Sequence, residues 1–226
     1  MIDPSRLLDR SPEVIEYAYH PCQATVHAEA MGLERLDQLP DLERLHERHF
    51  GLSPAVCASM AEAAAVSLDR HHVPPATLAV TTHDARSLSY SVDWTPRGSR
   101  ERAAWANDTD TTEAAAYAVA LAAAEAAYGL FAAQRVVVGG GADYWVSRAP
   151  LFGNSVDGQL DLEDAIRLEV SGMDRSESEA ALLYRLSKKA EQIAHAGSDP
   201  GLAGVVAFDL MQMRFRSVGA VSDVGG

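Results

Sequence analysis

Between Ala114 and Ala133 the chain is almost unbroken alanine and other apolar residues, and Glu125 is the one charge in the run. Alanine has the strongest helix propensity and no bulk beyond Cβ, so such a segment predicts a helix that can lie close against a sheet. Asp110-Thr111-Thr112-Glu113 has the spacing of a capping box, and Gly129 supplies a left-handed stop after Tyr128. Because the run contains Glu125, it reads as a buried helix of a water-soluble protein and not as a membrane span.

Beyond this helix, strand and helix signals alternate. Phe131 to Val138 ends in three valines and reads as a buried strand, Gly139-Gly140-Gly141 as a turn, and Ala142 to Ser147 as a second strand. A loop from Arg148 to Glu163 leads to a third strand, Ala165 to Ser171, which Gly172 is expected to break. Ser176-Glu177-Ser178-Glu179 is a second capping box, opening a helix to about His195, and Leu202 to Leu210 is the last expected strand.

Upstream, Pro4, Pro12, Pro21 and Pro40 cut the first fifty residues into short helical pieces. Leu42 to His49 reads as a short charged helix. Ser53-Pro54 reads as an N-cap with proline at the first helical position, starting a helix to about Arg70. Thr77–Thr82 and Ser87–Trp94 alternate with period two around the turn residues His83 to Arg86, an antiparallel hairpin, and a polar loop runs from Thr95 to Asp108. The expected division is an N-terminal helical region, 1–74, and a hairpin plus α/β core, 75–226, together one compact unit.

The order helix, three strands, helix, strand carries one acidic residue on each of two successive strands: Asp143 in Ala-Asp-Tyr-Trp-Val and Glu169 in Arg-Leu-Glu-Val-Ser-Gly. Over about Asp110 to Leu210 the chain resembles the core of the PD-(D/E)xK, or restriction-endonuclease-like, nucleases. The resemblance implies an α/β fold with an α-β-β-β-α-β core, Asp143 and Glu169 as ligands of Mg2+ (or Mn2+), and Glu113 on the preceding helix as a third ligand. It also implies phosphodiester hydrolysis in bacterial defence or DNA repair. The chemistry agrees with the residue types: magnesium takes hard oxygen ligands, commonly one or two carboxylates completed by water and substrate phosphate. Paired strands can bring one carboxylate each to a common point. Glu113 also has a plainer reading, as the last residue of its capping box.

At one position the sequence departs from that family. Where the motif has lysine, Glu169-Val170 is followed by Ser171, which carries no cation. The chain's two lysines, Lys188 and Lys189, stand in the next helix. With Leu182, Leu186, Ala190 and Ile193 on its buried face, helical spacing puts Arg185, Lys189 and Gln192 on one flank and turns Lys188 away. Lys189 is therefore the candidate relocated cation and Gln192 a second polar contact. A core that has lost catalysis and is kept as an interaction or assembly module explains Ser171 equally well.

A net charge of -13 excludes a generally basic, nucleic-acid-coating protein, so a polyanion would need a local positive site. The catalytic reading requires that charge beside the carboxylates, from Arg135, Arg148, Arg167, Arg185 and Lys189; a module requires an exposed apolar patch and a homo-oligomer or protein complex to cover it. Cys22 and Cys57 make no disulfide scaffold, and the opening MIDPSRLLDR carries no secretory pattern, so a cytoplasmic protein is expected. The three glycines at 139–141 lack the spacing and following helix of a dinucleotide site, and no P-loop exists. His46 and His49 are three apart, not four, and read as part of a charged surface helix. Cys57 reads as core, His71-His72 as a helix C-terminal pair, and Trp94, Trp105 and Trp145 as scattered cover.

Overall fold

The computed structural model describes residues 36–137, 141–148, 162 and 165–219. The helical pieces expected around Pro4, Pro12 and Pro21, together with Cys22, Gly139, Gly140 and the interior of the 148–163 loop, lie outside the described residues. The elements are β1 (Asp37–Gln38), a 3-10 helix (Leu42–Glu47), α1 (Pro54–Asp69), β2 (Ala76–Thr81) and β3 (Ser87–Val92). Next come α2 (Ser99–Ala104), α3 (Asp108–Tyr128), β4 (Phe131–Arg135), β5 (Tyr144–Ser147), β6 (Ile166–Met173), α4 (Glu179–His195), β7 (Gly201–Ala207) and β8 (Gln212–Val218). The fold is mixed α/β, and the residues from Leu36 onward cluster as one unit. No helix among the described residues is long and apolar enough to cross a membrane.

The strands form one eight-stranded sheet in the order β1-β3-β2-β8-β7-β6-β5-β4. β4, β5 and β6 run antiparallel in succession, and α4 crosses over to place β7 parallel to β6. β7, Gly-Leu-Ala-Gly-Val-Val-Ala, is buried along its whole length, as a central strand covered on both faces must be. On one face the alanine-rich α3 and the N-terminal α1 close the main core, with Leu68, Leu121, Leu168, Leu202 and Met213 among its buried residues. On the other face α4 contributes Leu182, Leu186, Ala190 and Ile193 to a smaller cluster over Ala203, Val205 and Ala207.

Several expected boundaries move. α3 starts at Asp108, not at the Asp110 capping box: the Asn107 side chain accepts from the Thr109 and Asp110 amides, so Glu113 lies well inside the helix and caps nothing. Its end is as expected, with Gly129 left-handed at φ 64°. In α4 the cap is Ser178, whose hydroxyl accepts from the Ala181 amide; Ser176 lies outside the helix. Ser99–Ala104, read as loop, is a short helix.

Gly172 does not break β6, which runs on to Met173. A Cβ at Gly172 would sit 2.5 Å from the Thr112 carbonyl oxygen, so this glycine is there to let α3 lie against the strand. The last expected strand ends at Ala207, and the turn after it leads to β8, unforeseen in the sequence, which inserts between β7 and β2.

β4 carries a register shift. Ala132 pairs with Val146, but Gln134 with Trp145 and Arg135 with Tyr144, leaving Ala133 as the extra residue. β4 is also an edge strand, and the segment before α1 covers it. The Ala132 amide donates to His49 Nδ1 at 2.8 Å, and the Gly51 amide donates to the Ala132 carbonyl. With Nδ1 accepting, His49 Nε2 carries the hydrogen and meets Glu125 Oε2 at 3.0 Å, while Arg48 Nε donates to Glu125 Oε1 at 2.6 Å. His49 is fully buried, so its expected place on a charged surface helix is corrected: a strand amide needed a partner inside, and the imidazole supplies it. Burial raises the Glu125 carboxyl, but the hydrogen bonds from His49 and Arg48 prevail and hold it below its ordinary value. Cys57 is core, as expected; its thiol donates to the Leu42 carbonyl at 3.3 Å, and burial pushes it up.

Candidate functional site

β5 begins at Tyr144 opposite Leu168, whereas β6 continues beyond it to Met173. Past that point the β6 amides facing β5 have no strand partner, and a buried unpaired amide is costly. Asp143, the residue just before β5, resolves this: its amide donates to the Leu168 carbonyl at 2.9 Å, and its Oδ2 accepts the Val170 amide at 2.8 Å. The carboxylate is thereby held at the edge of the sheet, within reach of both faces.

On the α3 face stands Tyr117. Its hydroxyl lies 2.8 Å from Asp143 Oδ1 and 3.1 Å from Glu113 Oε1, so one phenol bridges the two carboxyls. Burial, then the Asp143 and Glu113 charges, push the phenol far above its usual range and keep it a neutral donor. The Arg135 guanidinium lies 5.2 Å from the Tyr117 ring centre and 5.7 Å from that of Tyr144.

On the α4 face stands Glu169. Leu168 and Val170 point into the main core, and strand alternation turns Glu169 the other way, over β7 and toward α4. Its Oε1 accepts from Lys189 Nζ at 2.6 Å. The Glu169 carboxyl is pushed up to about 7: burial is the main cause, and Asp143, within hydrogen-bonding reach, adds to it against the pull of Lys189. Two residues further on, Ser171 Oγ receives Arg185 Nε at 2.8 Å. The position that lacks a lysine thus has a guanidinium delivered from the next helix, one turn before Lys189.

Glu113, Tyr117, Asp143, Ser171, Arg185 and Lys189 line a cleft of about 510 Å³, while Glu169 is buried and is not part of its wall. At its far end Asp108 and Asp174 are tied to Arg70, at 2.9 and 3.1 Å, and Asp174 also meets His71 Nε2 at 3.2 Å. Those two carboxylates already have their cations.

Asp143, Glu169 and Lys189 are therefore brought together. Glu113 is brought near, but with the Tyr117 hydroxyl between it and Asp143. Gln192 is not: it is exposed and lines the neighbouring hollow on the outside of α4. Of the arginines considered beside the carboxylates, Arg185 and Arg135 are close. Arg167 is not an ionic partner of Glu169; it is buried and donates to the Gly197 and Asp199 carbonyls at 3.1 and 2.5 Å. Tyr117 is the site residue that sequence reasoning misses, although its place four residues after Glu113 puts the two on one helix face and is a usable signal. Among the described residues no three Asp, Glu, His or Cys side chains converge to form a ready-made metal cage.

The donor set nonetheless suits a hard divalent ion. The buried Glu169 carboxyl, raised by burial and by the Asp143 charge, forms with Asp143 an acidic pair that a proton, an ammonium or a divalent cation can neutralise. Comparison with known proteins gives no match to this chain, whether among family models, characterised proteins or solved structures.

Proposed function

We propose that the chain is a magnesium- or manganese-dependent nuclease with a restriction-endonuclease-like core formed by α3, β4, β5, β6, α4 and β7. The observation that carries this reading is the convergence of Asp143, Glu169 and Lys189 where β5 and β6 part company, one carboxylate fixed by a ladder amide and the other 2.6 Å from an ammonium. Asp143 and Glu169 would hold the ion, with water completing its shell and Glu113 reaching it through Tyr117 or a water. Bound there, a divalent ion supplies Lewis-acid polarisation of the phosphodiester.

The chain's own groups do the rest. Tyr117 orients the Asp143 carboxyl. Lys189 stands beside Glu169 in place of the missing motif lysine, free to shift its charge toward a phosphate oxygen. Arg185, fixed through Nε by Ser171, presents the remaining face of its guanidinium to the cleft. The substrate would be a nucleic acid, met by this local cluster and not by the acidic surface as a whole. Calorimetric titration of Mg2+ and Mn2+ into the protein and into Glu169→Ala tests the reading. Binding lost in the variant, with metal-dependent cleavage of single- or double-stranded substrates by the wild type, is the expected result; no binding in either chain overturns it.

One observation favours a second reading, that of a non-catalytic assembly module on the same core. The Lys189–Glu169 and Arg185–Ser171 pairs satisfy one another without any ligand, as structural pairs do. Wild-type protein that binds no metal and gives a concentration-dependent mass in ultracentrifugation would select it.

A further inference from the structure

The outer face of α4 carries a second hollow, about 630 Å³, lined by Tyr184, Arg185, Lys188, Lys189 and Gln192 among others. Arg185, Lys189 and Met173 line both this hollow and the carboxylate cleft, so the two adjoin along these side chains. Its charge is the reverse of the molecule's. Both of the chain's lysines are here with Arg185, against Glu191 on its wall and Glu169 at Lys189, in a protein of net charge -13. On its wall Tyr184 is 67% exposed, an unusual position for a large ring, and Lys188 Nζ lies 5.6 Å from the ring centre while pairing with Glu191 at 2.8 Å.

We propose that this groove binds a single strand of polynucleotide and leads it to the carboxylates, an inference that rests on the nuclease reading for its direction but not for its chemistry. A cationic track beside an exposed aromatic ring is the combination that holds single strands: the cations follow the phosphates, and the ring takes the face of an unpaired base. A duplex keeps both faces of its bases stacked internally and cannot use Tyr184. The same cations explain how so acidic a chain admits a polyanion at all, by confining positive potential to one channel.

The test is fluorescence anisotropy of end-labelled oligo(dT), oligo(U) and a hairpin duplex, with the full chain and EDTA present so that nothing is cut. Both single strands are expected to bind better than the duplex; the dT and U arms show whether the sugar matters. Tyr184→Ala is expected to weaken single-strand binding roughly 5- to 100-fold, with Tyr184→Phe close to wild type. Lys188→Gln is expected to make the salt dependence shallower by about 0.7 in log–log slope. Retained binding in both Tyr184→Ala and Lys188→Gln overturns the groove, as does the absence of single-strand binding by the wild type, even if metal-dependent cleavage is found. Conversely, Tyr184-dependent binding with no cleavage under Mg2+ or Mn2+ sustains the groove while removing the nuclease.

Discussion

Lys189 Nζ and Glu169 Oε1 are 2.6 Å apart, joining α4 to β6 two residues before Ser171, the position at which the sequence motif has lysine. On the nuclease reading the ammonium would substitute for that residue and would also compete with any cation held by Glu169. Lys189→Met separates the two roles. Metal affinity, read by calorimetry, should be unchanged or higher, whereas cleavage should fall by about 100-fold or more, the scale of losing one preorganised charge. Unchanged cleavage would leave Lys189 a structural partner only.

The Glu169 carboxyl titrates near 7 in the folded chain, against an ordinary value of 4.5. The folded state thus binds this proton more tightly than the unfolded chain does. Its favourable contribution is complete below about pH 4.5 and is lost as pH rises through 7. Urea midpoints should accordingly show Glu169→Gln gaining on the wild type between pH 5 and pH 8, by on the order of 2–3 kcal/mol. Metal binding has the opposite dependence: it strengthens over the same interval and releases a proton, which titrations in buffers of different ionisation enthalpy will report. A gain in stability for the wild type over that interval would contradict the assignment.

Tyr117 touches Asp143 and Glu113 with one hydroxyl. Replacing it by phenylalanine keeps the ring against Tyr144 and Arg135 and removes only the donor. Metal affinity should drop about 10-fold or more, as it does when an outer hydrogen bond to a ligand is lost, with about 1 kcal/mol of stability. Equal loss in affinity from Arg135→Gln would transfer the orienting role from the phenol to the guanidinium.

Two changes probe the frame beneath the site. Gly172→Ala drives a methyl into the Thr112 carbonyl at 2.5 Å and should cost about 1–3 kcal/mol while shifting α3 against β6. Glu125→Ala strips His49 and Arg48 of their partner in the buried knot beneath β4, with an expected loss of about 3 kcal/mol, of which Glu125→Gln should spare part. Chemical denaturation reads both, and a neutral Glu125→Ala would mean that water reaches His49.

How far the sequence leads depends on whether a signal is local. Gly129 ends α3 where expected because a left-handed glycine acts on its own backbone. The cap of α3 is misplaced by three residues, from Asn107 to Asp110, because Asn107, Asp108 and Asp110 all have cap chemistry. β8 goes unread although Met213 and Phe215 alternate with Arg214 and Arg216, the arginines masking an inward apolar face that the sheet then buries. One acid at each of two successive strands and the flank of α4 suffice to anticipate that Asp143, Glu169 and Lys189 lie together. Tyr117 escapes because it has no charge, and Gln192 is misassigned because helical spacing gives a flank but not how far around it the neighbouring strand reaches. His49 looks like surface by its company; its burial comes from an edge amide on a strand more than eighty residues away, which no local pattern encodes.

The extra residue in β4 has a consequence for the corner beside Tyr117. Were the pairing unbroken from Ala132, Gln134 would fall opposite Tyr144, and Arg135 would swing to the reverse side of the hairpin. Straightening β4 with every residue kept would therefore exchange a guanidinium for an amide at that spot, whereas deleting Ala133 would leave Arg135 opposite Tyr144. Arg135 supplies the charge of this corner, and the bulge at Ala133 decides that it faces Tyr117 and not the reverse side of the hairpin.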